Sequence, residues 1–140
     1  MNHLVFLNAR AGELEKILSG VKTMLVKEFD PAQTIVHSVN PGDSLYFLRD
    51  QDDSAVRVKA TVVRVLRFTN PFEEDLQHTL KEMQPRLQLT EEQFNLWAGK
   101  EHLQLVEFES AHKISTIQVA SRKTIGPADW IAFEAISQMM

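Results

Sequence analysis

At 140 residues and 16.0 kDa, with 44% hydrophobic and 24% charged side chains, the chain has the length of one domain and enough apolar residues for one core. It contains no cysteine, which excludes disulfides, thiolate zinc sites and cysteine nucleophiles and fits a reducing, cytoplasmic setting. Fifteen Lys and Arg against nineteen Asp and Glu leave a charge of −4, so a generic polyanion binder is excluded and any nucleic-acid role needs a local basic patch.

No apolar run approaches the ~18–20 residues that span a bilayer, so no membrane role is expected. The opening MNHLVFLNAR has no basic lead and no long apolar core, and does not read as a signal peptide. Residues 3–9 read as a buried strand. Leu14, Ile17, Leu18 and Val21 then recur at helical spacing, with Glu13 and Glu15 in the first turn, where negative charge suits the helix dipole. Gly20 stands where a left-handed helix stop is expected. Residues 23–29 read as a second strand broken by Asp30-Pro31, and 34–39 as a short strand or extended loop. Asn40-Pro41-Gly42-Asp43 predicts a type II turn, with Pro setting the first corner and Gly permitting positive φ at the second. Ser44–Leu48 follows as a strand, and Asp50, Asp52, Asp53 and Ser54 mark the next turn.

The strongest strand signal is 55–68. Val56, Val58, Ala60 and Val62 alternate with Arg57, Lys59 and Thr61, and the phase slips at Val62-Val63, predicting a β-bulge. Leu103, Leu105, Val106 and Phe108 suggest a second slip in a strand at 102–109. Two bent strands predict a sheet that curls. Between them lie two helices. The first is capped by Asn70, Pro71 and Glu73, carries Phe72, Leu76, Leu80 and Met83 on one face, and is stopped by Pro85. The second begins with the capping box Thr90–Gln93, with Leu89 and Phe94 placed as a staple, Phe94 and Trp97 on its buried side, and Gly99 at its end. A last strand is expected near 114–121. Gly126-Pro127 then opens a final helix with Trp130, Phe133 and Ile136. The order of elements predicts an α+β domain with a strongly curved mixed sheet.

Nucleotide and hydrolase fingerprints such as the P-loop, Gly-x-Gly-x-x-Gly, His-Glu-x-x-His and Gly-x-Ser-x-Gly are absent, and no cofactor is expected. The five histidines (His3, His37, His78, His102, His112) have no metal-ligand spacing. Glu73, Glu74, Asp75, Glu91 and Glu92 read as dipole complements at helix starts. Two basic segments remain. In Gly20–Glu28, alternation places Lys22, Met24 and Val26 on one side and Thr23, Leu25 and Lys27 on the other, unless the turn distorts its first residues. A lysine here, at the mouth of a curled sheet, is an anion anchor. In the second, Arg57 and Lys59 share a face and form a strip that can track phosphates.

The order of elements and the Gly20–Lys27 segment resemble the ASCH domain family of the PUA-like superfamily. Its signature is Gly-x-Lys-x-x-Glu-x-Arg after the first helix. Gly20 and Lys22 match, whereas Leu25 stands for the Glu and Lys27 for the Arg. The Gly42-Asp43 turn, the 61–67 strand, the helical insertion and Val106-Glu107-Phe108 follow the same layout. The resemblance covers roughly residues 3–110 of a single domain spanning 1–140, with about 111–140 as a C-terminal strand-and-helix extension. It implies a PUA-like curled β-barrel with flanking helices, and a cleft for RNA or a nucleotide- or nucleoside-like anion. The expected ligand-binding residues are Lys22, Thr23, Lys27, Arg57 and Lys59. Some relatives are amidohydrolases acting on acetylcytidine. The resemblance then implies Lys22 as catalytic lysine, but Leu25 replaces their threonine, and Glu82, Glu91 and Glu92 are the nearby candidates for their acidic partner. A third expectation is a protein-interaction domain without a small ligand, in which the C-terminal helix seals a homodimer.

Overall fold

The computed structural model describes residues 1–30, 38–50, 54–69, 73–121 and 129–140, with the backbone alone at 69 and 73–75. Among these described residues, six strands and three helices follow in the order β1 (Asn2–Leu7), α1 (Glu13–Leu18), β2 (Met24–Glu28), β3 (Ser44–Arg49), β4 (Ala55–Thr69), α2 (Glu73–Leu87), α3 (Glu91–Ala98), β5 (His102–Gln118) and β6 (Trp130–Phe133), then a 3-10 turn at Ile136–Met139. The strands form one sheet in the order β2-β5-β4-β3-β1-β6; β1 and β3 are parallel and the other pairs antiparallel. The architecture is α+β, a mixed sheet curled into a half-barrel with flanking helices.

Period-2 patterning builds the concave side. Val5 and Leu7 of β1, Leu45 and Phe47 of β3, Val58, Ala60 and Val62 of β4, and Val106 and Phe108 of β5 fill it. Leu14 and Ile17 of α1 close one end. The bulge expected at Val62-Val63 is present: Val62 faces Phe108 but Arg64 faces Glu107, so Val63 is extra and the parity of β4 reverses. Beyond it Leu66 and Phe68 face α2 and α3 instead.

The slip expected in β5 is not one. Leu103 and Leu105 point toward α2 and α3 while Val106 and Phe108 point inward, which is regular alternation in a strand apolar on both faces. Nor are 102–109 and 114–121 two strands. A single β5 runs through, with Ser110 at φ 59 absorbing a register shift against Lys59 and Thr61.

Two further expectations are corrected. Pro85 does not end α2, which runs to Leu87; the buried Leu87 side chain (0% exposed) and partners for its last carbonyls hold that turn. The C-terminal segment at Trp130–Phe133 is not the expected helix: it pairs antiparallel with β1 and completes the sheet, with a 3-10 turn following at Ile136–Met139. Val119 and Phe133 bury the convex side against Leu4, Phe6, Tyr46, Leu48 and Val56. The 34–37 strand, the Asn70 cap, the turn at Asp52 and Asp53, His37 and Gly126-Pro127 lie outside the described residues.

The turns behave as read. Gly42 has φ 92 and Asp43 N–H donates to Asn40 O at 3.1 Å, the type II geometry. The Thr90 capping box of α3 is complete. Gly20, at φ 84, reverses the chain from α1 toward β2. A Cβ there would meet nothing within 4 Å. Gly20→Ala is therefore expected to cost only the backbone penalty of about 1 kcal/mol, measured by urea denaturation.

Candidate functional site

The Gly20 reversal delivers Lys22 to the centre of the molecule. Its side chain is 1% exposed. Nζ donates to the carbonyl of Leu87 at the end of α2, and lies 3.8 Å from Glu13 Oε1. The neighbouring Thr23 N–H donates to Arg86 O at 3.0 Å, and Lys16 Nζ donates to Gln88 O at 3.2 Å, so the end of α2 is satisfied by groups arriving from α1 and from the turn that leads into β2. Glu13 is itself held: Oε2 accepts from Asn8 N–H at 2.7 Å and Oε1 from Gln93 Nε2 at 3.2 Å. One carboxylate thus ties the end of β1, the start of α1 and the start of α3 around one ammonium. Burial pushes Lys22 down from 10.5 to about 8; Glu13 opposes the shift and Lys16 adds to it.

Beside Lys22 lies a cavity of about 290 Å³. It occupies the gap between the two ends of the curled sheet, with Val5, Leu7 and Asn8 from β1 and its end on one side and Leu25, Val26 and Lys27 of β2 on the other. Gln93, Leu96 and Trp97 of α3 cover it, and Asp50, Asp129 and Trp130 complete the rim. Lys27 is half-buried, which lowers its pKa, and its Nζ sits 5.7 Å from the Trp130 ring centroid. Among the described residues, the charged lining is Lys22 and Lys27 against the three carboxylates of Glu13, Asp50 and Asp129.

Simple alternation separates Lys22 from Lys27, yet both reach this cavity. Lys22 precedes the first residue of β2, so the turn rather than the pleat sets its direction. Leu25 also lines the cavity, placing an apolar wall where the family resemblance implied a hydroxyl.

The other expected site residues stand elsewhere. Thr23 contributes backbone bonds, to Arg86 and from Phe108, but does not line the cavity. Arg57 and Lys59 do not line it either; Lys59 Nζ lies 5.4 Å from the Tyr46 ring, on the side packed by Phe133. Their face does not border the cavity, because β4 lies two strands in from β2 and three in from β6, the two ends of the sheet. Of the acidic candidates, Glu82 pairs with His78 on the exposed side of α2, and Glu91 and Glu92 line a separate open groove with Arg10. The carboxylate beside Lys22 is Glu13. Its sequence signal was the same as that of Glu15, a first-turn acid; only the chain reversal distinguishes them. Trp97, Trp130 and Gln93 were likewise visible only as helix residues.

No family model matches the chain, and no curated protein does. Solved structures do. The crystal structure of ASCH from Zymomonas mobilis aligns over 98% of this chain and 90% of its own at a TM-score of 0.69 and 13% identity. A single-residue variant of that protein aligns over 95% and 90% at 0.68 and 14%. The chain has an ASCH fold. Within this ASCH fold, Gly20–Lys27 carries the chain from α1 past the cavity, and α2 and α3 form its helical cover. Among the described residues of the ASCH fold, no helix is long and apolar enough to cross a membrane.

Proposed function

We propose that the protein is a binding module that takes a nucleoside-like ligand, free or within RNA, in the cavity beside Lys22. The observation that carries this reading is a buried ammonium at the wall of a 290 Å³ hollow that also presents two indoles. That volume lies at the small end of the ~300–1,000 Å³ usual for ligand sites and suits one base with its sugar. Stacking of a base on an aromatic side chain is worth about 1–3 kcal/mol and tolerates any base. Gln93, Asn8 and Lys22 supply the directed polar contacts. Lys27, at the rim, is the group that meets a phosphate.

The test is calorimetric titration with cytidine, cytidine monophosphate and a short single-stranded RNA. Lys22→Ala is expected to weaken cytidine binding about tenfold or more, the worth of one hydrogen bond from a charged donor. Lys27→Ala is expected to spare cytidine and weaken the phosphate-bearing ligands, with the loss shrinking at high salt. Equal affinities in wild type and Lys22→Ala remove the proposal.

One observation supports a second reading, a small amidohydrolase. With a pKa of about 8, Lys22 is neutral in about one molecule in ten at neutral pH and can take a proton from a water attacking an acyl carbon. The proton then passes to the departing amine, and Glu13 balances the lysine charge in between. Leu25 offers no hydroxyl to share that work. Turnover of acetylcytidine rising with pH through about 8, and lost in Lys22→Ala, is the expected signature; no turnover ends this reading.

A further inference from the structure

One wall of the cavity is held by a histidine that cannot gain a proton without losing its partner. His3 of β1 is fully buried. Its Nδ1 lies 3.1 Å from Trp130 Nε1, and its Nε2 lies 2.8 Å from Asp43 Oδ2. An indole N–H only donates, so Nδ1 must be the acceptor and the ring must be neutral, with its proton on Nε2 directed at Asp43. Asp43 is fixed in turn: Asn40 N–H donates to Oδ2 at 2.9 Å, and the Met1 ammonium lies 3.4 Å from Oδ1. The rings of His3 and Trp130 also meet edge to face at 5.9 Å. Trp130 belongs to the four-residue edge strand β6, and its indole rests on this bond, on Lys27, on the rim of the concave apolar cluster and on strand pairing with Val5.

We propose that His3 is a positioning residue for Trp130, and that its protonation turns the indole out of the cavity wall and weakens ligand binding. This rests on the cavity being the ligand site, as argued above. A proton on Nδ1 sets N–H against N–H, two donors with no acceptor between them, while Nε2 keeps Asp43. The imidazolium therefore stays and the indole leaves. Charged groups around the ring act in both directions. Asp43 favours the imidazolium; the Met1 ammonium and Lys27 disfavour it. Burial disfavours it most, so the change falls below the ordinary histidine range.

The test separates the device from the ligand. In a Trp97→Phe background Trp130 is the only indole, and its accessibility to acrylamide reports its release with no ligand present. Accessibility is expected to rise as pH falls from ~7 to ~4, below the ordinary histidine range, and to stay flat in a His3→Gln variant. Gln offers one acceptor and one donor and does not titrate. Cytidine affinity, measured with Trp97 intact in the same buffers, is expected to fall severalfold at the acid end, in proportion to the share of molecules that release the indole, and to hold in His3→Gln. A flat response in the parent, or an equal rise in His3→Gln from general loosening, overturns the proposal. Release of the indole without any cytidine binding at neutral pH leaves the device standing and removes the nucleoside reading.

Discussion

Replacing Lys22 with methionine is expected to stabilise the protein at pH 7 by about 2 kcal/mol while removing ligand binding. The folded value of about 8 lies below the ordinary 10.5, so the folded state holds the lysine proton less tightly than the unfolded chain does. Below about 8 both states are charged, and the burial penalty is present in full. Between about 8 and 10.5 the unfolded chain binds more protons, so stability rises with pH across that window. The whole shift corresponds to about 3 kcal/mol, and a side chain 1% exposed has little solvent screening to reduce it. Methionine matches the volume and removes the charge, but forfeits the bond to the Leu87 carbonyl, worth about 1 kcal/mol. Glu13 keeps Asn8 and Gln93 as partners and is not stranded. Urea denaturation from pH 7 to 10 checks this. Wild type should gain stability with pH. Lys22→Met should start higher and show only the residual slope of Lys27, which burial shifts in the same direction. A methionine variant less stable than wild type at pH 7 would mean that the helix-end contact outweighs burial of the charge. A stored cost of this kind is in keeping with the ligand-binding role proposed for Lys22.

Leu80→Ala is expected to destabilise the fold by about 3 kcal/mol and lower the melting temperature by about 10 °C. Leu80 is 0% exposed and packs with Leu76, Leu87, Met24, Leu103 and Leu105 between α2 and the sheet. Truncation leaves a hole between a rigid helix and a rigid strand, so little collapse can offset the lost contacts. Because α2 ends at the carbonyl that holds Lys22, the same substitution is expected to loosen the site before it unfolds the sheet. Faster amide exchange at Thr23, which donates to Arg86 O, would report this. A loss below about 1 kcal/mol would show that the helical layer repacks freely on the sheet.

Local signals read well from the sequence wherever the physics is local. The Gly20 stop, the Asn40–Asp43 turn, the Thr90 capping box and the bulge at Val62-Val63 each depend on a few neighbouring residues, and each is present. The failures are of another kind. An apolar pair such as Leu105-Val106 looks like a phase slip when one face is assumed wet, but β5 is covered on both faces. Trp130, Phe133 and Ile136 have helical spacing, yet pairing with β1 outweighs it, since a short segment has weak helical preference of its own. Pro85 reads as a stop, yet contacts from α1 and from the turn before β2 hold one more half-turn.

The residues alone determined the curled α+β architecture, the segment bearing the candidate lysine and the absence of thiol chemistry. Tertiary structure decided which groups meet that lysine. Glu13 is nine positions before Lys22, Gln93 and Trp97 lie some seventy after it, and Trp130 lies more than a hundred after it. Nothing in their local sequence says that they share a cavity. Closing a sheet whose two ends face each other places them together, because the gap between those ends is where side chains from both termini and the helical layer converge.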